Sequence, residues 1–558
     1  MPMNFQNPYN RDDYKDFFRN QFLTDSFKIN EEELQLNYSP KYIKQVLLIG
    51  EDDSLELKVI EALHDSENNP RVGLSRDIFR LMSSYGYKRA LVLLHSTNSK
   101  NYRLSLVTIE LSIEDTKIKR EYSNPRRYSF FLGPEAKVRT PYDFLEKKGR
   151  VKDFDDLQSR FSIEVVTEKF YQEIANWYFW AMDKVQFPDD EEQDKSKRNA
   201  KNLIRLITRI IFIWFMKEKK LIPYNLFEKS FIDKIINYED NTGSTYYKAI
   251  LQNLFFATLN TPMKKDNPNS RIFIEDAKKR GYVSDAYLEQ GYYRYKRFIK
   301  DTKLFLEQFE NVPFLNGGLF ECLDKKVDGK EIRVDCFSDN IKNETKLKVP
   351  DELFFRENEI NIDLSKYFEN GKNAKVTGLL TILKKYNFTI DENTPIDQEI
   401  ALDPELLGKV FENLLASYNP ETETTARKAT GSYYTPREIV EYMVNESLIE
   451  YLKSAVPNPK SSRILPDSKN TTQSKYAPTT LTNDSVNISD ILFRQLFDYA
   501  YDENPFDEET TFKVIDAIER IKILDPACGS GAFPMGILHK LVLALHKLDP
   551  DNKIWKEK

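Results

Sequence analysis

The spacing of apolar residues divides the chain into an alternating front and a largely helical remainder. Ile43–Ile49 and Leu55–Leu63 have strand spacing and are joined by the polar turn Gly50-Glu51-Asp52-Asp53-Ser54. Ser75–Met82 has the spacing of an amphipathic helix and stops at Gly86. Arg89–His95 and Tyr102–Leu111 return to strand spacing. Residues 1–125 are therefore predicted as an α/β domain of order β-β-α-β. Pro134 and Pro141 mark a connecting segment, because proline is excluded from a sheet interior.

Residues 126–402 read as a mainly helical connector. Phe161–Met182, Asn199–Lys219, Phe227–Ile236, Thr245–Leu259 and Ser284–Phe298 are its predicted helices, with an acidic linker, Asp189–Glu192, between the first two. Arg205 and Arg209 interrupt the apolar stretch of the second helix, which suits a bundle helix with a basic edge better than a membrane span. Asn311–Phe320 is a turn-rich loop, and strand character follows it. No constellation of reactive residues stands out in this region.

Residues 403–558 open with a predicted helix at Asp403–Leu414 and a polar loop. Thr435 then suits an N-cap, Pro436 the first helical position, and Glu438 closes a capping box. Ile439, Tyr442, Met443 and Val444 supply the apolar face of the helix that follows. Pro457–Asn487 is polar and low in complexity, a looping insertion, and short helices are predicted at Ile488–Tyr499 and Phe506–Arg520. Ile523–Asp525 reads as a buried strand, Gly529 and Gly531 as a tight turn, and Phe533–Leu548 as a helix.

A chain of 558 residues predicts about three or four domains. With 40% hydrophobic residues, 13% aromatics and 30% charged residues, it can build real cores and has the charge of a soluble protein. The net charge of −6 provides no overall basic field, so any contact with nucleic acid must come from local patches. Cys322, Cys336 and Cys528 have spacings that fit neither a disulfide framework nor a zinc site. The N-terminus lacks a signal-peptide core, and no apolar run reaches the roughly 20 residues that cross a bilayer. A cytoplasmic location without membrane contact is the expectation.

The β-β-α-β order of the front is that of the core of the PD-(D/E)xK nucleases, which it resembles. Such enzymes hold Mg²⁺ between clustered carboxylates and position water with a lysine. Asp52 or Asp53 at one strand end and Glu61 on the next strand are the candidate catalytic carboxylates, with Mg²⁺ expected at Asp53 and Glu61. Leu63, followed by His64, stands where the lysine is expected. Glu56-Leu57-Lys58 spells Glu-x-Lys, a triplet that arises readily by chance in this composition. A nuclease-like fold that binds DNA without cutting it is the alternative. His64 and His95 read as structural histidines. Lys119–Tyr128 interleaves basic and aromatic residues, which makes Arg126 and Arg127 candidate DNA contacts, an exposed turn being the other reading.

The most specific string is Asp525-Pro526-Ala527-Cys528-Gly529-Ser530-Gly531-Ala532-Phe533. Strand, glycine turn and helix form a common cofactor entrance of doubly wound sheets, and the Gly-Lys-Ser/Thr ending of a phosphate loop is absent. The string resembles the S-adenosylmethionine motif of amino-methylating DNA methyltransferases, adenine-specific ones above all. Gly431–Glu438, placed ahead of it, resembles the element whose Tyr-Thr-Pro lines the same cofactor, here Tyr434, Thr435 and Pro436. That order is the order of gamma-class adenine methyltransferases. With the nuclease-like front and helical connector, the chain resembles the fused type IIG restriction–modification enzymes and their BREX-type relatives.

The resemblance implies a multidomain α/β plus α protein that ends in the start of a Rossmann-like methyltransferase sheet. It implies that Asp525 and the Gly529/Gly531 turn hold the methionine part of the cofactor, that Pro526, Ala527 and Cys528 belong to the same cofactor-binding loop, and that Phe533 lies near the adenosine or in the core. It also implies double-stranded DNA as substrate. One departure is grave: the Asn/Asp-Pro-Pro-Tyr/Phe motif, which performs the methylation in this family, is missing from the chain. The expectation is thus the N-terminal part of an adenine-specific DNA methyltransferase, with catalysis and target recognition supplied by a second polypeptide. A Mg²⁺-dependent endonuclease subunit and an inactive DNA-binding remnant are the alternatives.

Overall fold

The computed structural model describes residues 2–36, 39–66, 71–112, 121–263, 265–266, 270–282, 291–315, 318–367, 371–389, 397–402, 435, 437–461, 488–499, 501, 503–526, 528 and 531–554. They belong to two compact units. One combines Met1–Ser162, Asn393–Ile400 and Tyr434–Lys558; the other combines Ile163–Glu392 and Ala401–Tyr433.

The first unit is built on a mixed sheet whose strands lie in chain order: β1 (Phe27–Glu33), β2 (Ile43–Asp52), β3 (Leu57–His64), β4 (Arg89–Ser96), β5 (Ser99–Ser112), β6 (Glu121–Leu132) and β7 (Asp397–Glu399). Neighbours are antiparallel except β3/β4 and β6/β7, which are parallel. A parallel pair needs a crossover, and helix α2 (Arg71–Tyr85) supplies it between β3 and β4. Gly86, at φ +72, ends that helix in the left-handed region a β-carbon disfavours. The sheet runs past residue 125, because Glu121–Tyr128 of the basic and aromatic cluster belongs to β6, while Lys119 and Arg120 lie outside the described residues.

Strand alternation gives this sheet two different faces. Ile60, Ala62, Val92, Leu94 and Val107 meet Leu74, Ile78 and Met82 of α2 in one core. Positions between them point to the other face, which helix α1 (Arg11–Phe17) and the π-helical turn Phe18–Phe22 cover with buried aromatics. Tyr14 of α1 donates to the hydroxyl of Tyr102 on β5 at 2.9 Å. The Asn10 side chain caps α1 by accepting from the amides of Asp12 and Asp13.

Among the described residues the same unit carries four C-terminal helices: α3 (Arg437–Ala455), α4 (Ile488–Phe497), α5 (Glu508–Arg520) and α6 (Ala532–Leu548). Val440, Val444 and Leu448 of α3 join Phe493 of α4, Val514 and Ile518 of α5, and Ala544 of α6 in one core. Of the predicted apolar face of α3 only Val444 is in this core; Ile439, Tyr442 and Met443 point to solvent, which corrects that part of the prediction. A second correction concerns Ile523–Asp525, which forms no strand; Leu524 is 86% exposed. A strand exists only through hydrogen bonds to a neighbour, and none of the described strands lies beside this segment.

The second unit is mainly helical. Its long helices Ile163–Lys184 and Lys195–Glu218 match the predicted ones, and the latter is capped by Asp194. Arg209 is not an exposed basic edge but is buried against Asp335 at 3.0 Å. Thr245–Leu259 forms two π-helical turns, Tyr247–Gln252 and Phe255–Leu259. The predicted helix Ser284–Phe298 reduces, among the described residues, to a 3-10 turn at Lys296–Phe298. The strand character after residue 320 appears as a small ribbon, Lys325–Val327 with Lys330–Ile332. No described helix is long and apolar enough to cross a membrane.

Candidate functional site

On the α1 side of the sheet, Glu61 is a buried carboxylate at the centre of a polar cluster. Parallel register sets Glu61 opposite Leu93 and Leu63 opposite His95, so the two polar side chains share this face. His95 Nε2 lies 2.9 Å from Glu61 Oε1. Arg11, in the first turn of α1, donates from Nη2 to Oε1 at 3.0 Å and from Nε to Oε2, a two-pronged grip. Tyr9 stacks on the imidazole of His95, ring centres 4.4 Å apart. Burial alone would raise the Glu61 pKa, but the hydrogen bonds with His95 and Arg11, together with the nearby Tyr9 hydroxyl, outweigh it and hold the value near 2. Burial, then the Glu61 charge, pushes the Tyr9 hydroxyl far up.

The expected carboxylate pair does not assemble. In β2–β3 register Asp52 faces Leu57 at the turn while Glu61 faces Leu47 midway along the hairpin. Five residues of strand separate the two positions, about 17 Å. Asp52 instead clamps a turn: it accepts from Ser26 Oγ at 2.6 Å, Ser54 Oγ at 2.9 Å and the Thr24 amide at 3.0 Å. Burial pushes its pKa up, and these hydroxyl and amide donors bring it below the ordinary carboxylate range. Asp53 is exposed and pairs with Lys28 at 2.9 Å. Lys58, of the Glu-x-Lys triplet, pairs with Glu51. Leu63 stands two residues after Glu61, where the lysine is expected, and the residue opposite Glu61 on β2 is Leu47. No group of three His, Cys, Asp or Glu among the described residues could hold a metal ion.

The opposite face of the sheet carries buried polar residues that sequence reasoning did not single out. Arg103 pairs with Glu399 at 3.1 Å, and the hydroxyls of Ser105 and Ser129 lie 2.9 Å apart. Arg127 is fully buried, so of the two candidate DNA contacts only Arg126 is exposed. His64 meets Ser66 Oγ at 2.8 Å; burial and the neighbouring His95 and Arg127 lower its pKa to about 4.

At the predicted cofactor turn, the Gly531 amide donates to the Cys528 carbonyl at 2.8 Å, and Gly531 adopts φ +85 as it opens α6. Among the described residues, no atom beyond Gly531 and its chain neighbours lies within 4 Å of where a β-carbon on Gly531 would stand. Asp525 is half-buried, Pro526 and Cys528 are exposed, and Phe533 leans on the helical core. Thr435 is half-buried; Tyr434, Pro436, Ala527 and Gly529 lie outside the described residues. Behind the turn, Lys540 and Lys547 of α6 point inward. Lys540 pairs with Glu441, lies over the ring of Tyr499 at 4.0 Å and donates to the Phe497 carbonyl; Lys547 donates to the carbonyls of Gln495, Leu496 and Asp498. The two lysines thus satisfy the open carbonyls at the end of α4.

No family model and no solved structure matches the chain. Over 426 residues, 71% of its length, the chain is 24% identical to a protein of Methanocaldococcus jannaschii named "Putative type II restriction enzyme and methyltransferase RM.MjaORFECS2P". The match takes up 27% of that protein, so the chain spans about a quarter of the relative's length.

Proposed function

We propose that this chain is the cofactor-binding front part of an adenine-specific DNA methyltransferase of a restriction–modification system. The observation that carries the reading is the turn at Cys528–Gly531, where a glycine at φ +85 opens α6 inside the string Asp525–Phe533. Such a turn brings backbone amides to a ligand without a β-carbon in the way. The similarity to a protein named as restriction enzyme and methyltransferase supports the same reading. S-adenosylmethionine would lie against Asp525, Cys528, Gly531 and Phe533. Residues 1–558 contain no Asn/Asp-Pro-Pro-Tyr/Phe string to hold a flipped adenine, so methyl transfer to double-stranded DNA requires another polypeptide segment.

Equilibrium dialysis with labelled S-adenosylmethionine tests the proposal on the whole chain. Saturable binding is expected, weakened at least about tenfold by Gly531→Val, since valine is strained at positive φ. Asp525→Ala should weaken binding as well while leaving the helical circular dichroism intact. Absence of binding in the unmodified chain would refute the reading.

A second reading, a Mg²⁺-dependent endonuclease, has the β1–β2–β3–α2–β4 order in its favour. The neutralised Glu61 and its leucine neighbours favour the non-cutting version of that fold. The chain is therefore expected to leave DNA intact with Mg²⁺ present. Cleavage that disappears in Glu61→Ala would reinstate the nuclease.

A further inference from the structure

The small ribbon of the helical unit, Lys325–Val327 with Lys330–Ile332, is exposed on both of its faces. Lys325, Lys326, Val327, Asp328, Gly329 and Lys330 all meet solvent. Asp328 and Gly329, at φ +50 and +79, make the tight primed turn that an Asp-Gly pair favours. A lone two-stranded hairpin is marginal in water, and this one buries little of its own surface. It is stapled at its root instead. The buried Asp324 carboxylate accepts from the amides of Val334, Asp335, Cys336 and Phe337 at 2.8–3.0 Å, and from Arg333 Nη1 at 3.2 Å. Asp335 takes the Leu323 amide at 2.8 Å and Arg209 of the helix Lys195–Glu218 at 3.0 Å. Both feet of the ribbon are thus fixed to a long helix, while its tip has no apolar support.

Charge points to the occupant. Carboxylates near the strands already have cations: Glu191 has Lys325 at 2.7 Å, Asp190 has Lys346 at 3.3 Å, and Glu331 has Arg333 at 2.7 Å. The hydrogen bond from Lys325, with the charges of Lys201 and Arg205 behind it, holds the Glu191 carboxyl below its ordinary range. That edge of the long helix therefore lies within electrostatic reach of the ribbon. Lys201, Lys326 and Lys330 are exposed, and none of them pairs with a carboxylate among the described residues. Lys326 stands opposite Glu331 and Lys330 opposite Val327, which sets these two lysines on opposite faces of the ribbon. Asp328 at the tip is the opposing charge, in a place where the turn favours aspartate.

We infer that the ribbon Lys325–Ile332, with the helix edge at Lys201, binds the phosphate backbone of double-stranded DNA without regard to its sequence. A two-stranded ribbon is narrow enough to enter the major groove of a B-form duplex, and ammonium groups on its two faces then meet phosphates on either side. The choice of DNA among polyanions rests on the proposed function; the rooted basic ribbon does not.

The test titrates the full chain into a fluorescent duplex of mixed sequence at several salt concentrations. For the unmodified chain, log K should fall linearly with log salt. Lys326→Gln combined with Lys330→Gln removes two phosphate contacts. The slope should then shrink by about 2 and affinity should drop about tenfold or more, equally for unrelated sequences. Asp328→Asn keeps the primed turn and should strengthen binding about two- to fivefold, a gain that damage to the fold would not produce. No binding by the unmodified chain, a slope that the double substitution leaves unchanged, or an Asp328→Asn variant that binds no better would each overturn the inference. Poly-L-glutamate bound more tightly than the duplex would assign the ribbon to an acidic protein and overturn it as well. Dialysis with S-adenosylmethionine on the same preparations separates the two readings. The expected DNA pattern without cofactor binding keeps the ribbon and rejects the cofactor turn; cofactor binding without DNA binding does the reverse.

Discussion

Glu61 and His64 stand on opposite faces of one strand and titrate in adjacent windows with the same sign. Glu61 falls from an ordinary 4.5 to about 2 on folding, so its stabilisation is complete above pH 4.5 and is lost as pH falls towards 2. His64 falls from 6.5 to about 4, because the folded state buries the neutral ring. The unfolded chain takes up that proton first, so stability declines as pH drops from 6.5 to 4. Urea midpoints followed from pH 8 to pH 3 should decline in two stages. His64→Gln should flatten the upper stage and Glu61→Gln the lower; a curve that neither substitution changes would reject the assignment. At neutral pH Glu61→Ala should cost about 2–3 kcal/mol, since it strips charged hydrogen bonds from Arg11 and His95. A carboxylate inside an apolar strand pattern was legible in the sequence. Its partners were not, for Arg11 lies 50 positions before it and His95 34 after it. Which of them meet depends on strand register, and a slip of one residue would turn each side chain to the other face.

Helices and hairpins depend on local spacing, which is why β2, β3, α2, β4 and α6 were legible within a few residues. Ile523–Asp525 has the composition of a strand, yet a strand requires a neighbour, and composition does not say where that neighbour comes from. The outward face of α3 misled for a related reason. Ile439, Tyr442 and Met443 are apolar at helical spacing, but the stripe one residue further on, Val440, Val444 and Leu448, is the one that meets the other helices. Gly536 fixes how closely α3 and α6 approach. A β-carbon there would stand 2.9 Å from Val440 Cγ1, so Gly536→Ala sets a helix-propensity gain of about 1 kcal/mol against overpacking of about 1–3 kcal/mol. Gly536→Leu removes the ambiguity: it should separate the helices and lower the thermal midpoint by several degrees. An unchanged midpoint would show that this contact does not set the packing.

The sheet unit is assembled from three separate stretches of chain, with residues 163–392 inserted between β6 and β7. No hydrophobic pattern announces such a return, because β7 is three residues long and gains its place by parallel pairing with Arg127–Ser129. The consequence is an asymmetry between the two units. The helical unit closes its buried charges within itself: Arg209 with Asp335, Lys248 with Asp240, and Arg333 with Asp324. Its end is tied by the amide of Thr389 donating to the Leu402 carbonyl at 2.9 Å. The front stretch, in contrast, draws on distant residues. Arg103 is neutralised by Glu399, the Ser129 carbonyl is taken by the Ile400 amide, and Arg76 of α2 donates to the Tyr499 carbonyl. A fragment of residues 163–402 should therefore melt cooperatively on its own. A fragment of residues 1–162 would leave Arg103 buried without its carboxylate, an error that costs about 3–5 kcal/mol. It should unfold at a lower urea concentration than the same segment in the full chain, and Glu399→Gln in the full chain should reproduce part of the loss. If residues 1–162 alone resist urea as well as they do in the intact protein, β7 and the C-terminal helices contribute nothing to the sheet. The unit would then be two independent pieces joined only by sequence.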